Sequence, residues 1–153
     1  MVLWHWNSPF GPLCLAQEGD SLAAVNFCAP LTGEEIPCPT PLLAETRRQL
    51  EEYFAGSRRV FDLPLAPEGT AFQRAVWEAL QAIPYGETRT YGQIAAAVGR
   101  PKASRAVGGA CHCNPIGIII PCHRVVGSSG RLTGYAGGLD RKAALLALEQ
   151  PKP

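Results

Sequence analysis

What this chain of 153 residues lacks narrows its class first. No run approaches the ~18 consecutive apolar residues of a membrane-crossing helix. Met1 to Ala16 has neither the basic start nor the apolar centre of a secretion signal, so the expectation is a cytoplasmic protein with no membrane partner. Charged residues are a modest 18% against 46% hydrophobic, ordinary for a soluble globular chain of one domain or two small ones. Cys14, Cys28 and Cys38 with His5 match no standard zinc spacing and read as incidental thiols. A core of this size needs no staples, so all six cysteines are expected to be reduced.

Acid is missing from one stretch altogether. Between Thr88 and Leu139 there is no Asp or Glu, yet Arg89, Arg100, Lys102, Arg105, Arg124 and Arg131 all lie there. The net charge of +1 hides this asymmetry: residues 1–67 hold 4 Lys/Arg against 8 Asp/Glu, and residues 68–153 hold 10 against 5. A stretch of one sign favours a polyanion, although a solvated basic face reads the same way on charge alone.

Val2 to Trp6, Leu13 to Gln17 and Leu22 to Cys28 are short β-leaning runs separated by turn residues, which predicts a small antiparallel sheet. Thr40-Pro41 opens a helix through Leu43, Leu50 and Phe54, closed by Gly56. Arg58 to Glu68, with Pro64 and Pro67, reads as a linker from about residue 57, dividing a domain of residues 1–67 from one of 68–153. Thr70 begins a helix that points Phe72, Val76, Leu80 and Ile83 inward and stops at Pro84-Tyr85-Gly86. Thr90 and Gln93 have capping-box spacing, a short helix runs to Val98, and Gly99 closes it. After Arg100-Pro101, Lys102 to about His112 forms another helix that packs through Ala103, Ala106, Val107 and Ala110. Two short helices across a tight turn make a helix-turn-helix. The second offers mostly Ala, Ser and Gly with only Lys102 and Arg105 long, which suits a minor groove read with little sequence preference. Tight helix packing through small residues accounts for the same composition.

The chemistry gathers at Asn114-Pro115-Ile116-Gly117-Ile118-Ile119-Ile120-Pro121-Cys122-His123-Arg124. Its β-branched residues predict a buried strand that delivers a thiol, an imidazole and a guanidinium. Only a few per cent of an ordinary thiol is thiolate at neutral pH, so a reactive Cys needs a neighbouring base, and His123 is the candidate. Strand alternation would send the two side chains to opposite faces, so contact requires a bend or a bridging water. A core Cys beside an unrelated His fits the same residues. So do a hydrolase using Cys122, His123 and Glu149, and a DNA-binding protein without chemistry. A zinc module on Cys111, His112, Cys113, Cys122 and His123 fits poorly, because Cys111 and Cys113 diverge if they are helical.

The run Asn114-Pro115 into Pro121-Cys122-His123-Arg124-Val125-Val126, then Gly134-Tyr135-Ala136-Gly137-Gly138 and a Leu-rich segment ending in Leu148-Glu149, resembles the O6-alkylguanine-DNA alkyltransferases, or methylated-DNA-protein-cysteine methyltransferases, of bacterial type. The likeness runs from about Phe72 to Glu149 and before that rests mainly on Ser8-Pro9-Phe10-Gly11. It implies an α+β protein: a small N-terminal antiparallel sheet and helix of ribonuclease H-like form, then a mostly helical winged helix-turn-helix domain. It implies irreversible, one-for-one transfer of an alkyl group from O6-alkylguanine, and from O4-alkylthymine, in double-stranded DNA to Cys122, with no cofactor or metal. His123 is then the base, acting through a water, Glu149 the carboxylate that orients it, and Asn114 the tie for the loop. Tyr91 and Arg105 rotate the nucleotide out and fill its place, while Thr90, Lys102 and Arg124 contact DNA. Tyr135, Ala136, Val125, Gly117 and Ser128 form the pocket and its glycine-rich lid. Ala136 stands where some members have Ser, and Gly117 where others have a second Pro, which implies a roomier pocket. The resemblance also implies a monomer, with several copies able to line up on DNA.

Overall fold

Trp4 and Trp6 alternate with exposed Leu3 and His5 in β1 (Val2–Ser8), the period-two pattern of a sheet with one buried face. β2 (Gly11–Glu18) buries Leu13 and Leu15, and β3 (Ser21–Phe27) buries Leu22 and Val25. The three pair antiparallel in the order β1-β2-β3, with Trp4 opposite Leu15 and Leu15 opposite Val25. An irregularity between Ala16 and Gln17 shifts the register by one, which is how Leu22 and Val25 both reach the core. The computed structural model describes residues 1–30 and 33–150, divided into one unit ending at Glu68 and another beginning at Gly69.

In the first unit, α1 (Pro41–Phe54) starts where Thr40 Oγ1 accepts the Leu43 N–H at 3.1 Å, with Pro41 in the first turn where no N–H is needed. Leu43, Leu50, Tyr53 and Phe54 are buried. The segment expected as a linker is bonded in place: Leu22 N donates to Pro64 O at 2.8 Å, and Ala66 N to Leu22 O at 3.0 Å. Its prolines discourage helix yet leave carbonyls free to accept from the sheet edge.

The second unit opens with α2 (Ala71–Gln81), capped reciprocally by Thr70 and Gln73. A Cβ on Gly69 would come within 2.5 Å of the Trp77 ring, so only glycine lets the chain pass there. Trp77 Nε1 donates to Ala110 O at 2.8 Å across the core. α3 (Tyr91–Ala97), capped by Thr90 and Gln93, and α4 (Ser104–His112) form the helix-turn-helix, with Gly99 at φ 79° closing the first helix. The second helix begins at Ser104 rather than Lys102, because Ala103 N bonds back to Arg100 O at 2.9 Å and keeps residues 100–103 in a turn. Two parallel two-residue strands, β4 (Arg89–Thr90) and β5 (Val125–Val126), and α5 (Leu139–Leu148) complete it. No helix among the described residues is long and apolar enough to cross a membrane.

Candidate active site

The approach to Cys122 is a coiled loop, not the expected strand. Asn114 Nδ2 donates to Ile120 O at 2.9 Å while its Oδ1 accepts from Ile116 N at 3.0 Å. Six residues of strand would span roughly 20 Å, so one side chain could not bridge them. Ile119 N and Ile120 N bond back to Gly117 O and Ile116 O, and Ile118 sits at φ 69°. A β-branched residue in that left-handed region costs about 1–3 kcal/mol. Burial of Ile116, Ile118, Ile119 and Ile120 offsets the strain.

The loop runs straight into a single 3-10 turn, Cys122–Arg124, whose three residues per turn fan the side chains apart. Cys122 is 7% exposed, and burial pushes its thiol up from the usual value, partly offset by Asn114. It therefore rests as the thiol at neutral pH. His123 is fully buried, with Nε2 2.7 Å from Glu149 Oε2. Burial holds the imidazole below its ordinary value, with Glu149 partly restoring it, so the neutral ring dominates.

Glu149 lies just past the last turn of α5, where a helix dipole disfavours an anion. Arg124 supplies the compensation. Its Nε and Nη2 donate to Glu149 Oε1 and Oε2 at 2.8 and 3.1 Å, its Nη1 donates to Ile83 O at 2.7 Å, and the guanidinium lies 5.8 Å from the centre of the Tyr85 ring. This corrects the expectation that Arg124 contacts DNA: it is interior, 6% exposed. With Glu149 ionised, His123 Nε2 carries the donated proton, and the lone pair lies on Nδ1.

Tyr91 and Arg105 come together at the helix-turn-helix. They line a cavity of about 420 Å³ with Ser104, Gly108, His112, Thr133 and Gly134. That volume falls in the range of small-ligand sites. Thr133 Oγ1 donates to the Tyr91 hydroxyl at 2.9 Å. The pairing of Thr90 with Val126 ties the start of α3 to the strand that follows the Cys122 turn. The outward face of α4 carries Arg105, Ala106, Gly109 and His112, so Ala106 is exposed rather than packed, and Val107, Ala110 and Cys111 face inward.

The other expected residues differ in exposure. Thr90 is occupied as a helix cap, Lys102 is exposed in the turn before α4, and Ser128 is exposed beyond β5. Val125 is fully buried within β5, directly after the Cys122 turn. Gly117 and Tyr135 are half-buried, and Ala136 is exposed. All six cysteines are free thiols, and among the described residues no group of three or more His, Cys, Asp or Glu is placed to hold a metal ion.

The sequence reading missed Lys142. It is fully buried, and its Nζ donates to Thr133 O at 2.7 Å and lies 5.9 Å from the centre of the Tyr91 ring. The signal was available: Lys142, Leu145 and Glu149 are spaced to share one helix face, and that face is the buried one.

Comparison with known proteins agrees over nearly the whole chain. The profile of the 6-O-methylguanine DNA methyltransferase DNA-binding domain matches residues 71–151, and that of the ribonuclease-like domain matches residues 3–67. The chain is 55% identical to a methylated-DNA-protein-cysteine methyltransferase of Methanosarcina acetivorans, over 94% of this chain and 95% of that one. A Mycobacterium tuberculosis protein of the same description is 49% identical, over 95% and 90%. The crystal structure of Mycobacterium tuberculosis OGT in complex with DNA superposes with a TM-score of 0.88 at 49% identity, covering 97% of this chain and 92% of that one. An O6-methylguanine DNA methyltransferase from Methanococcus jannaschii gives 0.72 at 28% identity, covering 97% and 94%.

Proposed function

The chain belongs to the 6-O-methylguanine DNA methyltransferase family, and from that premise we propose that Cys122 is the atom-accepting end of its reaction. The protein is a direct-reversal repair methyltransferase whose partner is DNA, and the sulfur of Cys122 takes the alkyl group from guanine O6. The observation that supports this most is the chain of contacts behind the sulfur. Cys122 is followed at once by a buried neutral His123, fixed 2.7 Å from a Glu149 carboxylate that Arg124 holds in place.

In this reading His123 Nδ1 takes the thiol proton through a water. The sulfur lone pair forms the S–C bond, the C–O6 bond breaks, and its electron pair stays on the purine. Guanine then needs one proton. Tyr91 is assigned as its donor, because its hydroxyl, 2.9 Å from Thr133 Oγ1, belongs to a residue lining the cavity that receives the nucleotide. One proton leaves sulfur and one arrives on guanine, so the stoichiometry requires no cofactor. The thioether has no carbonyl for water to attack, so one chain accepts one group.

An alkyl group stacked inside a duplex cannot meet a buried sulfur, so the nucleotide rotates out at a cost of a few kcal/mol. Arg105, exposed on the small-residue face of α4, takes the vacated place, and the cavity beside Tyr91 receives the nucleotide. O4-alkylthymine presents a comparable alkylated oxygen and belongs to the same reading. All these residues lie in the unit beginning at Gly69, so the proposed reaction needs only one copy of the chain.

The test is intact mass after incubation with duplex DNA containing O6-methylguanine, followed by peptide mapping. The wild type gains one methyl group and never a second, and Cys122→Ala gains none. A hydrolase would instead release product repeatedly with no lasting change in mass. A methyl group mapped to any residue other than Cys122 overturns the assignment.

A further inference from the structure

The segment Pro84-Tyr85-Gly86, which follows α2, has no part in the proposed reaction, yet it grips the far end of the chain. Glu87 N donates to Pro84 O at 3.1 Å and closes a tight turn with Gly86 at φ 83°. Tyr85, half-buried, stands at its corner. Its hydroxyl donates to Leu148 O at 3.3 Å, reaching the last residue of α5 from 63 positions away in the sequence. The final carbonyls of a helix find no partner inside it, so a donor from elsewhere fixes where that end lies. A Cβ on Gly86 would come within 3.1 Å of Glu149 O, so the turn also meets the backbone of Glu149 closely.

The side chain of Glu149 is held from the same place. Arg124, which grips the carboxylate through Nε and Nη2, donates from Nη1 to Ile83 O at 2.7 Å, just before the turn, and its guanidinium lies 5.8 Å from the centre of the Tyr85 ring. Tyr85 therefore meets both the backbone that carries Glu149 and the cation that holds its carboxylate. The consequence falls on His123, whose Nε2 lies 2.7 Å from Glu149 Oε2. We propose that Tyr85 is a positioning residue for the base: by fixing Leu148 O and Arg124 it sets the place of Glu149, and so the orientation and tautomer of the His123 ring.

The two contacts of Tyr85 are unequal. A neutral hydrogen bond of 3.3 Å is at the long end of the range, whereas a guanidinium within about 6 Å of an aromatic face gains more as water is excluded. The ring therefore carries most of the effect and the hydroxyl trims it. Small displacements matter here, because misplacing a reacting group by about 1 Å can cost about 10²-fold in rate. The assignment rests on Cys122 being the acceptor and His123 its base.

The experiment measures the single-turnover rate of methyl transfer against the concentration of duplex DNA containing O6-methylguanine, together with the nitrogen NMR signals of the His123 ring, in wild type, Tyr85→Leu, Tyr85→Phe and Gly86→Ala. Tyr85→Leu is expected to lower the maximal rate about tenfold with the half-saturating DNA concentration unchanged, and to turn the single Nε2–H tautomer of His123 into a mixture. Tyr85→Phe, which keeps the ring over Arg124, recovers most of the rate and the single tautomer. Gly86→Ala leaves Tyr85 in place but presses on Glu149 O, and is expected to disturb the tautomer in the same way. A lowered thermal midpoint with the maximal rate and the tautomer of the wild type makes Tyr85 a packing residue and overturns the proposal, as does a loss confined to the half-saturating concentration. If Tyr85→Leu fails to fold, Gly86→Ala decides, and an unaltered rate and tautomer there overturn the proposal. Failure of the underlying reading is distinct: Cys122→Ala would then still acquire the methyl group, whatever the His123 signals show.

Discussion

Arg124 and Glu149 are joined in the interior by a two-pronged contact, Nε to Oε1 at 2.8 Å and Nη2 to Oε2 at 3.1 Å, and the same carboxylate reaches His123 at 2.7 Å. One carboxylate thus serves as both the counter-ion of a buried cation and the orienting partner of the imidazole. Stability and chemistry are coupled at that point.

Glu149→Gln separates them. Removing the charge leaves Arg124 buried without an anion, at a cost of about 3–5 kcal/mol, and the thermal midpoint should fall by more than about 10 °C. Alkyl transfer should slow by about 10²-fold, because the imidazole loses the acceptor that fixes its tautomer. Adding Arg124→Met should restore much of the midpoint, read by calorimetry, and none of the rate. Joint recovery of both would show that Glu149 acts only through stability.

Arg105→Ala tests the rotation step. Filling the vacated place in the stack offsets a few kcal/mol of unstacking. The variant should therefore lose about 10²-fold in transfer from duplex DNA and little from free O6-methylguanine base. Equal losses with the two substrates would move Arg105 from the duplex to the pocket.

The pH dependence of stability follows from His123. Its folded value is depressed below the ordinary 6.5 by burial. Above 6.5 both states hold it neutral and it imposes no penalty. As pH falls below 6.5 the unfolded chain takes up the proton first, and stability is lost with a slope of up to about 1.4 kcal/mol per pH unit until the folded state titrates. Urea unfolding followed by circular dichroism between pH 5 and 7 should show this slope, and His123→Gln should reduce it.

A pocket left roomier by Gly117 than by a proline would tolerate bulk. Ethyl and larger O6 adducts should react within about tenfold of methyl, on the scale of a one-methylene discrimination, and Gly117→Pro should slow the larger adducts more than methyl. Orders-of-magnitude discrimination in the unaltered chain would refute a roomy pocket.

The caps at Thr40, Thr70 and Thr90 could be read from the sequence because a hydroxyl and the backbone N–H three residues on interact locally, joined at Thr70 and Thr90 by a Gln that reaches back. The Ile run could not, because β propensity reports a preference for pleated, half-buried surroundings, and here Asn114 overrode it with bonds to both ends of a loop. Arg124 misled because charge alone suggested a surface, while its carboxylate lies 25 residues away in sequence. Lys142 was legible as a helix position. Its burial depended on packing that no local pattern records.

The indole of Trp77 is anchored to Ala110, on the helix whose other side carries Arg105. Trp4 and Trp6 belong to the sheet of the first unit, so the emission of Trp4→Phe/Trp6→Phe protein comes from the second unit alone. The molecule thus carries a native optical gauge of how firmly its recognition helix is seated, readable during a single titration with damaged duplex.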